Sequence, residues 1–264
     1  MTDFTTLELT IEGPVARIWL NRPEMRNAID DVFIRELAKA FAQAQDASGV
    51  RAVVLGGRGP AFCAGANLNW MKRAASFTPE QNLQDAAGLP RMLRTLAESR
   101  LPVIARIQGD VYAGGMGLVS VCDVAISADS AHYCLSEVKI GLIPATISPY
   151  VIRAMGARAA QRYFLTAERF TAAEAHRMGF VHEVVAADAL DAKVDEVLKN
   201  ILAAAPGAVA ESKRLLRDVT GQPIDDELTA ETVRRIAGLR ASEEGQEGLR
   251  AFLEKRKPAW TQAR

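Results

Sequence analysis

Two glycine-rich turns and one glutamate are the residues of this sequence whose types and spacing suit chemistry. The turns span residues 61–68 and 108–118, and the glutamate is Glu137. Each turn follows a short run of β-forming residues, so together they can direct two backbone N–H groups at one point, which is how an oxyanion hole is built. Small residues suit such turns because a side chain would keep the backbone away from a substrate oxygen. Glu137 then adds a group that can transfer protons.

An ordered set of motifs along essentially the whole chain resembles the crotonase superfamily, the enoyl-CoA hydratases and isomerases. The motifs are Leu-Asn-Arg-Pro at 20–23 with Arg-Asn-Ala at 26–28, both turns, the segment 137–144 and the closing segment 248–256. The resemblance implies an α/β fold, a spiral of ββα units followed by a C-terminal helical region.

The resemblance also implies how the chain is divided and what it binds. Residues 1–200 are expected to form the spiral core with the CoA site and the active site. Residues 201–264 are expected to form a helical oligomerisation region, in a homotrimer or a dimer of trimers. The expected ligand is an acyl-CoA thioester, and because coenzyme A is part of that substrate, no separate cofactor is expected.

Individual residues acquire roles from the same resemblance. Adding water to an α,β-unsaturated thioester places negative charge on the thioester oxygen, and the expected donors to that oxygen are the N–H groups of Ala66 and Gly114. Glu137 is expected to deprotonate the water and to return a proton at the α-carbon. The expected CoA-binding residues are Arg26, Ala28, Ala64, Ala66, Asn67, Leu68, Gly114, Gly115, Phe252 and Lys255. In the family, the residues that match Phe252 and Lys255 often come from a neighbouring subunit.

The sequence departs from the family at Gly117, where well-known hydratases carry a second glutamate. Either Glu137 handles the water alone, or a substrate group or another side chain substitutes for the missing residue. The segments 117–120 and 134–146 resemble bacterial methylglutaconyl-CoA and isohexenylglutaconyl-CoA hydratases, whose substrates carry an extra carboxylate that could help to orient water. Lys72 and Arg73 could pair with that carboxylate, although a solvated helix face is the simpler interpretation.

Three functions stay open at this point. The first is a hydratase that acts on a glutaconyl-type thioester. The second is an enoyl-CoA isomerase, because moving a double bond needs only one base and could dispense with the glutamate missing at Gly117. The third is a catalytically silent CoA-binding or RNA-associated scaffold, which the presence of Glu137 together with both turns disfavours.

Composition argues against several other classes of protein. The chain has 264 residues and a formal net charge of zero, so it has no general attraction for nucleic acid or for an anionic membrane. No apolar run approaches the roughly 18 residues that a membrane span needs. The three cysteines and three histidines lack metal-ligand spacing, so no metal is expected. An odd number of cysteines suits a reducing compartment such as the cytosol.

The elements that must position the candidate residues can be predicted from hydrophobic periodicity. Two alternating segments separated by a glycine and a proline indicate an N-terminal hairpin, at 6–11 and 15–20. Asp30 or Asp31 is then suited to cap a helix that ends near Gly49. The recurrence of strand, turn and helix predicts an α/β layered domain.

Further along, short buried strands at 51–55 and 102–107 bring the chain to the two turns, and a strand at 131–135 precedes the glutamate. A helix is predicted over 79–99, with a bend or interruption at Pro90 because proline disturbs a helix interior. Helices are also predicted over 189–205, 208–219 and 225–239.

Overall fold

The computed structural model describes residues 4–261, which form two β-sheets and a series of helices. The strands are β1 (Leu7–Glu12), β2 (Val15–Leu20), β3 (Ala52–Gly57), β4 (Ala61–Cys63), β5 (Val103–Ile107), β6 (Asp110–Tyr112), β7 (Val124–Ala128), β8 (His132–Cys134), β9 (Phe170–Thr171) and β10 (Glu183–Val185). The α-helices are α1 (Asp31–Asp46), α2 (Leu68–Ala74), α3 (Pro79–Ala86), α4 (Gly88–Ala97), α5 (Gly114–Ser120), α6 (Ser148–Met155), α7 (Ala157–Thr166), α8 (Ala172–Arg177), α9 (Leu190–Ala203), α10 (Pro206–Val219), α11 (Asp226–Ala241) and α12 (Glu243–Leu253). No helix within this described part is both long and apolar enough to cross a bilayer.

From β3 to β8, consecutive strands alternate between the two sheets. The large sheet has the order β1-β2-β3-β5-β7-β10, and the small sheet has the order β4-β6-β8-β9. In the pairs β3–β4, β5–β6 and β7–β8 the first strand joins the large sheet and the second joins the small sheet, before the chain continues into helices. This repetition confirms the predicted α/β spiral of ββα units.

The two faces of the large sheet are buried in different hydrophobic clusters, because successive residues of a strand point to opposite faces. Val53 and Leu55 of β3 join the main cluster, which α1 also enters with Phe33, Leu37 and Phe41. Ala52 and Val54 face the other way, where α9 covers them with Leu190, Val194 and Leu198. The large sheet is therefore packed against helices on both faces and forms a rigid frame.

The local predictions for the first part of the chain are confirmed. β1 and β2 pair antiparallel, with Leu7 opposite Leu20. Asp30 caps α1, since its Oδ1 atom accepts a hydrogen bond of 2.9 Å from the Phe33 N–H group. Both features depend on residues close in the sequence, which is why periodicity and capping residues suffice to predict them.

The helix predicted over 79–99 is interrupted, but the predicted position of the interruption is wrong. It is two helices, α3 and α4, which are separated at Ala87. Pro90 is the third residue of α4 and so lies in its first turn, where a backbone N–H group would have no partner within the helix. Helix α12 was not predicted; Ser242 caps it by accepting a hydrogen bond from the Gly245 N–H group at 3.0 Å.

The C-terminal helices are exposed in the single chain. Helices α10 and α11 contain no buried residue. The large apolar side chains that α10 to α12 leave exposed are Leu216, Val233, Ile236, Leu249, Phe252 and Leu253. The predicted domain boundary at residue 200 lies inside α9, which packs against the large sheet. The division into a core and an oligomerisation region stays a prediction.

Candidate active site

The small sheet brings both turns and Glu137 to one edge. Strands β4, β6 and β8 are parallel neighbours, with Tyr112 of β6 opposite Cys134 of β8. Ala66 of the first turn lies just after β4, Gly114 of the second turn lies just after β6, and Glu137 lies shortly after β8. Ligand sites of parallel sheets form beyond the carboxyl ends of the strands. Ala66, Gly114 and Glu137 are therefore gathered at the edge of the sheet where such a site is expected.

The first turn is held against the segment before α1 by backbone hydrogen bonds. The bonds join Ala64 N–H to Arg26 C=O (3.0 Å), Ile29 N–H to Gly65 C=O (2.7 Å) and Asn67 N–H to Ile29 C=O (2.7 Å). Because the bonds to Ile29 use the residues on either side of Ala66, the N–H group of Ala66 points away from Ile29. Within residues 4–261 that N–H group has no hydrogen-bond partner.

A buried ion pair fixes the segment that holds the first turn. Arg22 Nη1 lies 2.7 Å from Asp30 Oδ2, and both side chains are mostly buried. Burial alone would raise the pKa of Asp30, but hydrogen bonds from Arg22 and from the Phe33 N–H group outweigh it and leave the pKa below its ordinary value. The buried Asn27 side chain donates to the Ala61 C=O group at 2.9 Å, which ties the same segment to β4.

The second turn contains a strained residue. Ala113 has φ 49° and ψ −118°, a conformation outside the regions that alanine ordinarily adopts, at a cost of about 1–3 kcal/mol. It is held by a bond from its N–H group to the Cys134 C=O group (2.9 Å) and by one from the Met116 N–H group to its own C=O group (2.8 Å). Gly114 follows as the first residue of α5, and its N–H group has no partner in the described part of the chain.

The two turns are in direct contact. A Cβ atom added to Gly65 would lie 2.8 Å from the Cβ atom of Ala113, and one added to Gly115 would lie 2.8 Å from the Cys63 C=O oxygen. Both distances are too short for a side chain. Glycine at positions 65 and 115 is therefore what allows the turns to approach each other.

Glu137 presents a carboxylate oxygen that has no partner. It opens a 3-10 turn that ends at Ile140, and its Oε2 atom is buried without a hydrogen bond. Burial raises the pKa of this carboxyl group above its ordinary value, opposed only by a hydrogen bond from its own backbone. A buried, unpaired carboxylate is costly to fold, which makes Glu137 a candidate functional group.

The face of α5 that carries Gly114 and Gly117 is lined by apolar side chains. A Cβ atom added to Gly117 would lie 2.4 Å from Ile147 Cγ2 and 3.4 Å from Leu93 Cδ1. One turn earlier, a Cβ atom added to Gly114 would lie 2.8 Å from Ile29 Cδ1. The position at which well-known hydratases carry a second glutamate is thus filled by hydrocarbon.

Comparisons with known proteins agree with this geometry. The family profile described as enoyl-CoA hydratase/isomerase matches residues 10–263. The chain belongs to the enoyl-CoA hydratase/isomerase family. A solved enoyl-CoA hydratase of Shewanella pealeana is 43% identical, with a TM-score of 0.95 over 97% of this chain and 96% of that one. Pseudomonas aeruginosa AtuE is 38% identical, with a TM-score of 0.93 over 97% of this chain and 100% of that one. The mevalonyl-coenzyme A hydratase sidH of Aspergillus fumigatus is 32% identical over 91% of this chain and 89% of its own length.

The CoA-binding residues predicted in this crotonase-family enzyme fall into two groups. Arg26 is exposed beside the first turn, with φ 52°, and its side chain has no hydrogen bond or ion pair within residues 4–261. Leu68 is exposed at the start of α2. Ala28 and Asn67 are buried, and the Asn67 side chain caps α2. These residues surround the first turn together with Ala64.

Phe252 and Lys255 form the second group, at the other end of the chain. Phe252 is 81% exposed on α12, and Lys255 is exposed just after it. Helix α12 packs chiefly against α11, so in the single chain the structure does not bring these two residues to the turns. Their proposed contact with CoA needs a neighbouring subunit, and it stays a prediction.

Other residues considered from the sequence have structural explanations. Arg73 forms a surface ion pair with Asp31 at 2.6 Å, and Lys72 is exposed. Burial raises the pKa of the Cys63 thiol to about 12, so it packs as a small apolar group. No cluster of three or more metal-ligating side chains occurs among residues 4–261. Sequence analysis gave no role to Arg22, Ala113 or Ile147, although Arg22 and Ala113 lie within motifs that it recognised.

Proposed function

We propose that this protein adds water across the double bond of an α,β-unsaturated acyl-CoA. The observation that carries the proposal is the buried, unpaired Oε2 atom of Glu137 at the same sheet edge as the unpaired N–H groups of Ala66 and Gly114. These groups have no partners within the described fold, and each would gain one from a reacting thioester and its water. Family membership supports the same chemistry.

The mechanism follows from the charges that develop. The N–H groups of Ala66 and Gly114 donate hydrogen bonds to the thioester oxygen, and these bonds strengthen as that oxygen gains negative charge. Each such donor lowers the barrier by about 3–4 kcal/mol. The ionised Glu137 removes a proton from water while the water oxygen attacks the β-carbon. Glu137 then returns a proton to the α-carbon, so it ends the cycle ionised.

For the acyl group we propose a glutaconyl type, such as 3-methylglutaconyl-CoA of leucine catabolism. The support is the resemblance of segments 117–120 and 134–146 to hydratases of such substrates, together with the lack of a second carboxylate at Gly117. A carboxylate on the substrate would then be the second acidic group of the complex. Because Ile147 and Leu93 fill the space beside Gly117, that carboxylate would have to approach the water from another side.

Isomerisation of an enoyl-CoA is a second candidate, and one observation favours it. Moving a double bond takes a single base that shuttles a single proton, and the space beside Gly117 holds the hydrocarbon of Ile147 and Leu93 where a second glutamate would extend. Hydration and isomerisation therefore differ in whether Glu137 acts on water or directly on substrate carbon.

The proposed assembly is a homotrimer or a dimer of trimers. It rests on the exposed apolar side chains of α10 to α12 and on the distance along the chain between Phe252 and the rest of the CoA site. Sedimentation of the purified protein tests it, and a monomer at micromolar concentration would contradict it. The three free thiols suit a reducing compartment, and we propose the cytosol.

Turnover of a panel of enoyl-CoAs tests the proposed reaction. The panel contains 3-methylglutaconyl-CoA, crotonyl-CoA and a β,γ-unsaturated acyl-CoA, and products are separated by mass spectrometry. A gain of one water identifies hydration, whereas a changed retention time at constant mass identifies isomerisation. Hydration of 3-methylglutaconyl-CoA well above crotonyl-CoA is expected. The opposite preference would remove the glutaconyl assignment, and a lack of any hydration would remove the hydratase.

A further inference from the structure

Ala113 adopts a conformation that suits glycine. Its φ of 49° is positive, and its ψ of −118° separates it from Arg26 and Ala167, which have positive φ but the ordinary left-handed ψ of 37° and 35°. Values close to those of Ala113 occur in turns mainly at glycine. A glycine there would remove the strain, so the methyl group of Ala113 is kept against a local cost.

The methyl group of Ala113 is the point at which the two turns meet. Its Cβ atom would be only 2.8 Å from a Cβ atom on Gly65, so it lies against the bare Cα of that glycine. Gly65 is followed at once by Ala66, and Ala113 is followed at once by Gly114. The two residues in contact therefore each precede one of the two unpaired N–H groups.

Gly65 and Ala113 are each held by a backbone hydrogen bond to a residue outside the two turns. The Gly65 C=O group accepts from Ile29, and the Ala113 N–H group donates to Cys134. Because these two hydrogen bonds hold Gly65 and Ala113 in place, the size of the side chain at position 113 sets how far apart the N–H groups of Ala66 and Gly114 lie. We propose that the Ala113 methyl group is a spacer that sets the separation of the Ala66 and Gly114 N–H groups, which makes Ala113 a positioning residue.

The inference rests on the proposed function for the role of the two N–H groups, whereas the spacing itself belongs to the fold. Ala113→Gly removes both the strain and the spacer, so stability and activity should change in different directions. The melting temperature should stay the same or rise. The kcat for hydration should fall about tenfold, less than the loss of a whole donor, with KM changed less than about twofold.

Ala113→Ser supplies the rescue, because serine keeps a Cβ atom against Gly65. It should retain kcat within about threefold although it is as strained as alanine. Ala167→Gly is the matched control: it relaxes a positive φ at the end of α7 and keeps the C=O group that accepts from Cys134 Sγ. Because it removes no group between the two turns, it should leave kcat unchanged. A merely structural role for Ala113 predicts instead that kcat and melting temperature fall together.

Crystal structures of the same variants give a readout that does not depend on turnover. The distance between the Ala66 and Gly114 nitrogen atoms should change by about 0.5 Å in Ala113→Gly and return in Ala113→Ser, since about that precision is needed in a preorganised site. An unchanged distance would overturn the spacer even in an active enzyme. If the wild type hydrates no enoyl-CoA, the proposed function fails, and the nitrogen distances still decide the spacer.

Discussion

Ile147 occupies the space into which a side chain at Gly117 would extend. Its Cγ2 and Cβ atoms lie 2.4 Å and 2.9 Å from the position that a Cβ atom on Gly117 would take, and Ile147 is only 2% exposed. The space beside Gly117 is therefore filled by hydrocarbon, so a glutamate at this position would overlap a buried isoleucine. Restoring the glutamate requires that isoleucine to be removed as well.

The first prediction is that Gly117→Glu destabilises the protein unless Ile147 is removed. The single variant should lower the free energy of unfolding, because the new side chain overlaps a buried isoleucine. Ile147→Gly alone should cost at least the loss of an Ile→Ala core change, about 2–5 kcal/mol, because it removes one further carbon atom. The double variant should lose about 1–3 kcal/mol less than the sum of the losses of the two single variants. Urea unfolding of the wild type, both single variants and the double variant measures this difference. Additive losses would show that the two positions do not share the space.

The second prediction concerns Glu137→Gln. Hydration should fall by about 10²–10⁴-fold, because the amide keeps the shape of the side chain and cannot take a proton. The melting temperature at neutral pH should be unchanged or higher, since the variant no longer buries an unpaired charge. Glu168→Gln, at a surface carboxylate paired with Arg162, is the control and should retain activity. A loss of less than about threefold in Glu137→Gln would remove Glu137 from the mechanism.

The third prediction is the position of the acid limb of the pH profile. Glu137 must be ionised to act as a base, and burial raises its pKa above 4.5, so kcat/KM should begin to fall at a pH above 4.5. Acid unfolding should come later. The lowered pKa of Asp30 means that its ion pair stabilises the fold above pH 3.8 and is lost only as the pH falls further. Activity and circular dichroism measured on the same samples separate the two events; an activity midpoint below 4.5 would contradict the assignment.

The fourth prediction tests the Gly114 donor. Gly114→Ala places a methyl group 2.8 Å from Ile29 Cδ1, and the resulting shift of the backbone should lower kcat about 10- to 100-fold. Ile29→Val removes that Cδ1 atom and should cost only about 0.5–1.5 kcal/mol of stability by itself. The double variant should regain most of the lost kcat. Failure to regain it, in a protein that is still folded, would mean that the methyl group disturbs substrate and not the N–H group.

Sequence alone determined the elements that lead to the site and the first set of candidate residues. The N-terminal hairpin, the Asp30 cap and the strands that lead into the two turns depend on periodicity and on neighbouring residues, so local physical chemistry suffices for them. Choosing Glu137 depended on the family resemblance, which could be recognised because the motif around it is continuous in the chain. The resemblance then indicated the fold that the two sheets confirm.

Tertiary structure decided how those residues are arranged. Ile147 fills the space at Gly117, Arg73 pairs with Asp31, and the Ala113 methyl group lies against Gly65. Each of these contacts joins residues about 30 or more positions apart in the chain, and each depends on the packing of complete elements. Periodicity reports which face of an element is buried, but it does not report what lies against that face. For that reason the sequence identified the absence of a second glutamate, and only the fold showed that its place is filled.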